Sequence, residues 1–70
     1  MNTTARPSPL SLFRFSQGLT QSQLADRAHV ARETVSRLER GATPQGRTAA
    51  AIAGALGIAE DLIFPPQESR

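Results

Sequence analysis

Apolar residues return along this chain at the three- and four-residue intervals of helices, with no run of alternating apolar and polar positions that would predict a strand. Leu10 and Phe13 share one side of a first segment, with Gln17 continuing that side and Leu12 and Phe15 widening the apolar surface. Leu24 and Ala28, with Ala25 beside them, mark a second, and Val35 with Leu38 a third. Ala49, Ile52, Ala53 and Leu56 form the inner face of a fourth, and Ala59–Phe64 make one more short turn.

The stops between these segments are as clear as the segments. Ser8-Pro9 predicts an N-cap followed by proline at the first helical position, where a missing N–H costs nothing. Helix 1 then covers residues 9–17 and closes at Gly18. Thr20 and Gln23 form a capping box at the start of helix 2, which ends near Ala28 and leaves His29 in a turn. Helix 3 follows Ala31 and runs to Arg40, with Gly41 closing it. Thr43-Pro44 and Gly46 read as a loop that no helix crosses, after which residues 47–56 form helix 4, closed by Gly57. The expectation is one all-α domain of five short helices over residues 8–64, with a flexible arm at 1–7 and a flexible tail at 65–70.

Seventy residues leave room for one small core and no second domain. Without cysteine there is neither a disulfide nor a thiolate metal site, and one histidine does not make a metal cage, so no metal and no cofactor are expected. The longest mainly apolar run, residues 48–58, is too short for a membrane span and holds Gly54 and Gly57. A soluble, cytoplasmic, nucleoid-associated protein is expected. No nucleophile stands with a base and an orienting group, so an enzyme is not expected either. His29 reads as a turn residue, and Glu60-Asp61 as acids placed favourably at a helix start.

The net charge of +2 is unevenly spread. Residues 1–47 hold seven arginines against Asp26, Glu33 and Glu39, a net of +4, while residues 48–70 hold Arg70 against three acids, a net of −2. One end of the molecule should attract polyanions. All the basic side chains are arginine, which suits bidentate contact with phosphate or guanine, although a GC-rich coding sequence would produce the same usage. Helix 3 turns Val35 and Leu38 to one side and Arg32, Glu33, Ser36, Arg37 and Arg40 to the other. Glu33 and Arg37 have the spacing of a surface ion pair as well as of a reading face, and Arg40 suits phosphate or solvent. Glu39 falls at the edge of the apolar side and wants a cation. Leu62, Ile63 and Phe64, three large apolar residues close together near the end, read as a dimer or partner surface.

At Leu19-Thr20-Gln21, Leu24-Ala25, the run from Val35 to Gly41, and Ala55-Leu56-Gly57-Ile58, the chain resembles the lambda-repressor-like helix-turn-helix family of phage repressors, Cro proteins and XRE-type regulators. The resemblance covers residues 9–64 without gaps. It implies a DNA-binding transcriptional regulator, with helix 3 in the major groove of double-stranded DNA and a symmetric homodimer on a palindromic operator. It places base contacts on Arg32, Glu33, Ser36 and Arg37, and phosphate contacts on Thr20, Gln21, Thr43 and Arg47. It also pairs Arg14 with Glu39, which supplies the cation that Glu39 wants. The chain departs from the family at His29, where glycine is usual, and at Ala31, where serine or threonine caps the recognition helix. An antitoxin or adaptor that keeps this scaffold and grips a protein with its terminal apolar segment is the other reading.

Overall fold

The computed structural model describes residues 8–65; the expected arm at 1–7 and positions 66–70 of the expected tail lie outside the described residues. Five helices follow one another: α1 (Pro9–Ser16), α2 (Gln21–Ala28), α3 (Arg32–Glu39), α4 (Gly46–Leu56) and α5 (Glu60–Ile63), and the described residues contain no strand.

Most of the boundaries come from local chemistry. The Ser8 hydroxyl accepts from Ser11 N–H at 3.1 Å and Pro9 opens α1. At α2 the Thr20 hydroxyl accepts from Gln23 N–H at 3.0 Å while the Gln23 side chain accepts from Thr20 N–H at 2.9 Å, so two otherwise orphaned donors are satisfied. Gly18 and Gly57 turn left-handed, with φ of 69° and 70°, and release the chain from α1 and α4.

His29 does the same after α2 with φ of 59°, a conformation that crowds Cβ against the backbone. This turn sets the angle between α2 and α3, and Val30 N–H closes it onto Ala25 O at 3.0 Å. His29→Gly relieves the crowding but adds freedom to the unfolded chain, and a net gain of about 0.5–1 kcal/mol is expected from urea unfolding. A loss of stability would mean that the His29 side chain holds the turn.

Three boundary expectations are corrected. Helix α1 stops at Ser16 and α3 at Glu39, with Gln17 and Arg40 as caps. Gly46 does not break a helix; it opens α4, with Gln45 as the N-cap. At the first helical position the N–H has no intrahelical partner, and the helix still gains all its later bonds, so glycine costs little there.

The core is built where α2 packs against both α3 and α4, while α1 and α5 close it from the other side. Leu10, Leu24, Val35 and Ile52 are fully buried, one from each of the first four helices. Ala25, Ala28, Ala49 and Ala53 are buried with them, and their small side chains let the short helices approach closely. Gln17 donates its Nε2–H to Leu56 O at 2.7 Å, which ties the end of α1 to a free carbonyl at the end of α4.

Leu12 and Phe15 do not extend the core; they remain 53% and 60% exposed. The terminal apolar stripe is corrected as well. Ile63 is only 2% exposed and belongs to the core, Phe64 is half-buried, and only Leu62 faces outward. A helix of a single turn packed on α1 and α4 has room for one inward residue, and Ile63 takes that place. Among the described residues no helix is long and apolar enough to cross a membrane.

Candidate nucleic-acid interface

Helix α3 lies at the surface with one side sealed and the other open. Val35 and Leu38 are buried, which fixes the rotation of the helix, so Arg32, Glu33, Arg37 and Arg40 stand outward and Ser36 is half-buried. A recess runs along this outer face between Arg32, Glu33, Ser36 and Arg40. Thr20, Thr43 and Arg47 are exposed and Gln21 is half-buried. A second recess joins the start of α2 to the start of α3, with Thr20, Gln21, Ser22 and Arg32 on its walls. In a third, Arg37 meets Thr43 and Gln45 beside the α3–α4 loop. Arg47 lines none of these recesses.

Glu33 and Arg37 do not pair. Among the described residues the one ion pair is Arg14 with Glu39, so the charges on the open face of α3 stay available to a partner. Ala31 offers α3 no side-chain cap, as its methyl group dictates. The first turn of α3 therefore keeps unsatisfied N–H groups beside Arg32.

Beneath this face lies a fully bonded polar group. Arg14 donates Nε–H to Glu39 Oε2 at 2.5 Å, an Nη2 hydrogen to Oε1 at 3.0 Å, and an Nη1 hydrogen to Leu19 O at 2.9 Å. Both side chains are 9% exposed. No buried side-chain N or O among the described residues lacks a partner. The guanidinium also lies 4.5 Å from the centre of the Phe15 ring, which covers it from solvent.

The group extends beyond the Arg14–Glu39 pair legible in the sequence. Gln21 donates an Nε2 hydrogen to Glu39 Oε1 at 3.0 Å, and its Oε1 accepts from Arg32 Nη1 at 3.2 Å. The expected phosphate anchor is thus hydrogen-bonded at both ends of its amide within the protein.

Burial pushes the Glu39 carboxyl up, but hydrogen bonds from Arg14 and Gln21 and the charge of Arg14 outweigh it, so Glu39 titrates below the ordinary carboxylate range. The same hydrogen bond raises Arg14 above its ordinary value, against the effect of burial. With Glu39 depressed only in the folded state, the unfolded chain binds the proton first as pH falls. Stability from this group is complete above the ordinary range, about pH 4–5, and is lost as pH falls through the folded value beneath it. Urea midpoints measured downward from neutral pH should fall in that window, and the fall should be shallower in Glu39→Gln. An equal slope in both proteins would remove Glu39 from the acid response.

A family model described as helix-turn-helix matches residues 10–63, which include all but Pro9 of the five helices. The chain belongs to the Cro/C1-type, XRE-like helix-turn-helix family. It is also similar to a crystal structure described as a hypothetical transcription factor, NHTF, from Neisseria, with 27% identity, a TM-score of 0.72, and coverage of 94% of this chain and 88% of that one. No curated protein matches the chain significantly. This helix-turn-helix protein is a DNA-binding transcriptional regulator, and α2, the His29 turn and α3 are its helix-turn-helix unit.

Proposed function

We propose that the protein is a repressor of the Cro/C1 type that binds a palindromic operator as a homodimer, with α3 in the major groove. The observation that carries this reading is the open face of α3, where Arg32, Glu33, Ser36, Arg37 and Arg40 are presented by a helix held from behind by Val35 and Leu38. Arg32 and Arg37 reach acceptors such as guanine O6 and N7, Glu33 takes a hydrogen bond from cytosine N4, and Ser36 reads whichever edge it meets. Thr20 and Gln21 approach one stretch of backbone, while Arg40, Thr43 and Arg47 approach phosphates around the α3–α4 loop. Two such domains place their α3 helices about one helical turn of DNA apart.

The test is a binding titration on the DNA just upstream of the protein's own coding region, against a random duplex, across a salt series. Selective binding whose affinity falls steeply with salt is expected. Equal binding to both duplexes would remove sequence-specific regulation.

A second reading has its own observation: Leu12, Phe15 and Leu62 are exposed, and none of them lies on the face of α3. They support a protein partner, as in an antitoxin or adaptor. Charge reversal at Arg32 and Arg37 separates the two readings. Loss of DNA binding with partner binding intact supports the repressor, and unchanged DNA binding supports the adaptor.

A further inference from the structure

Phe15 stands apart from the other two exposed large apolar residues. It is 60% exposed and borders the recess that joins the start of α2 to the start of α3, whereas Leu12 and Leu62 do not. Thr20, Gln21, Ser22 and Arg32 form the polar side of that recess, and among the described residues no acid lines it. Gly18 adds no side chain to the wall, and a Cβ placed there would meet nothing within 4 Å.

The ring is also held in place. Arg14 Cζ lies 4.5 Å from its centre, and that guanidinium is fixed in turn by Glu39 and the Leu19 carbonyl. A side chain already held loses less freedom when it binds. The face of a bare aromatic ring is negative and would repel a strand of phosphates. The cation behind Phe15 offsets that repulsion. The recess therefore offers hydrogen-bond donors on one side, from Thr20, Ser22 and Arg32, and a fixed, uncharged apolar surface on the other. These two sides match the two parts of a nucleic-acid backbone, the anionic phosphate and the C–H surface of the sugar.

We propose that Phe15 is a DNA-contacting residue whose ring packs on a deoxyribose next to the phosphate approached by Thr20 and Gln21. This inference rests on the reading of α3 and the start of α2 as the DNA-facing surface. The contact involves neither a charge nor a base edge, so it strengthens binding equally for every sequence and at every salt concentration. The arginines of α3 act through charge and base edges and do neither. The buried pair of Arg14 and Glu39 is thereby linked to the DNA surface, because Arg14 backs the ring that meets the sugar.

The test uses the full chain and the duplex that it selects from a randomised pool. With Phe15→Ala, affinity should fall about three- to tenfold, as for the loss of one packed ring, by the same factor across a salt series and with the selected sequence unchanged. Hydroxyl-radical cleavage of the saturated complex should show about one deoxyribose per half-site that the unaltered protein protects and Phe15→Ala exposes. Phe15→Lys puts a cation within reach of the same strand and should steepen the dependence of log affinity on log salt by about 0.9. Where Phe15→Ala does not fold, the slope of Phe15→Lys decides alone. An unchanged sugar footprint, an unchanged slope, or a loss confined to particular base pairs overturns the proposal and returns Phe15 to a protein-facing surface. If the unaltered protein binds duplex DNA without selecting a sequence, the base-reading assignment of α3 fails while the slope of Phe15→Lys still decides the contact. Absence of any duplex binding by the unaltered protein overturns both.

Discussion

Arg14→Ala is expected to destabilise the domain by about 3–5 kcal/mol, the cost of leaving one member of a buried ion pair without its partner. Arg14 meets Glu39 through two nitrogens and Leu19 through a third, and both charged side chains are 9% exposed. After truncation, Glu39 keeps the hydrogen bond from Gln21 but loses the opposite charge, and the Leu19 carbonyl loses its donor. A domain of seventy residues has about 3–10 kcal/mol in total, so this one change removes much of it. Removing both charges, as in Arg14→Met with Glu39→Leu, should recover most of the loss, because no unpaired ion then stays behind. Chemical denaturation of the three proteins checks this. A loss below about 1 kcal/mol for Arg14→Ala would mean that the pair behaves as a solvated surface contact.

Leu24→Ala is the second large effect, at about 2–5 kcal/mol. Leu24 is 0% exposed on α2, the helix that packs against both α3 and α4, so a cavity there loosens both contacts together. Helix α3 is tied to α1 through Arg14 and Glu39, and α4 ends at the left-handed Gly57, which limits how far they can shift to fill the space. Leu24→Met conserves volume and should cost less than about 1.5 kcal/mol. Similar losses for the two variants would mean that the site collapses freely and that packing at Leu24 does not hold α2 between its neighbours.

The helices are legible because their ends are written in short-range chemistry. Ser8-Pro9, the Thr20 and Gln23 box and Gly57 each act within a few residues, so adjacent positions are enough to place them. Gly46 misleads because the same residue weakens a helix interior and is harmless at its first position, and only the packed position of α4 decides between the two. Leu12 and Phe15 look ready to widen the apolar side of α1, but a helix of two turns meets the core along one stripe, which Leu10 fills. The three consecutive residues from Leu62 to Phe64 all look alike in sequence, and contact with α1 and α4 selects Ile63 for burial.

The polar sites divide in the same way. Glu39 announces its need for a cation because it sits at the border of the apolar side of α3, and Arg14 meets that need. The bonds of Gln21 cannot be read in this way. Its partners lie 18 and 11 residues away and come within reach only when α2 crosses α3. Serving at the start of a helix gives Gln21 one local role; the fold gives it a second. The outward residues of α3 are visible from helical spacing alone, since burying Val35 and Leu38 turns Arg32, Glu33 and Arg37 away from the core.

The claim that this face reads DNA is tested most directly by selecting bound sequences from a randomised duplex pool, first with the unaltered protein and then with Arg37→Ala. A two-fold symmetric site is expected from the unaltered protein. The same site is expected from Arg37→Ala with one base pair per half-site relaxed, corresponding to about 1–3 kcal/mol of lost discrimination. An identical selected site from both proteins, or no enriched sequence from the unaltered one, would contradict it.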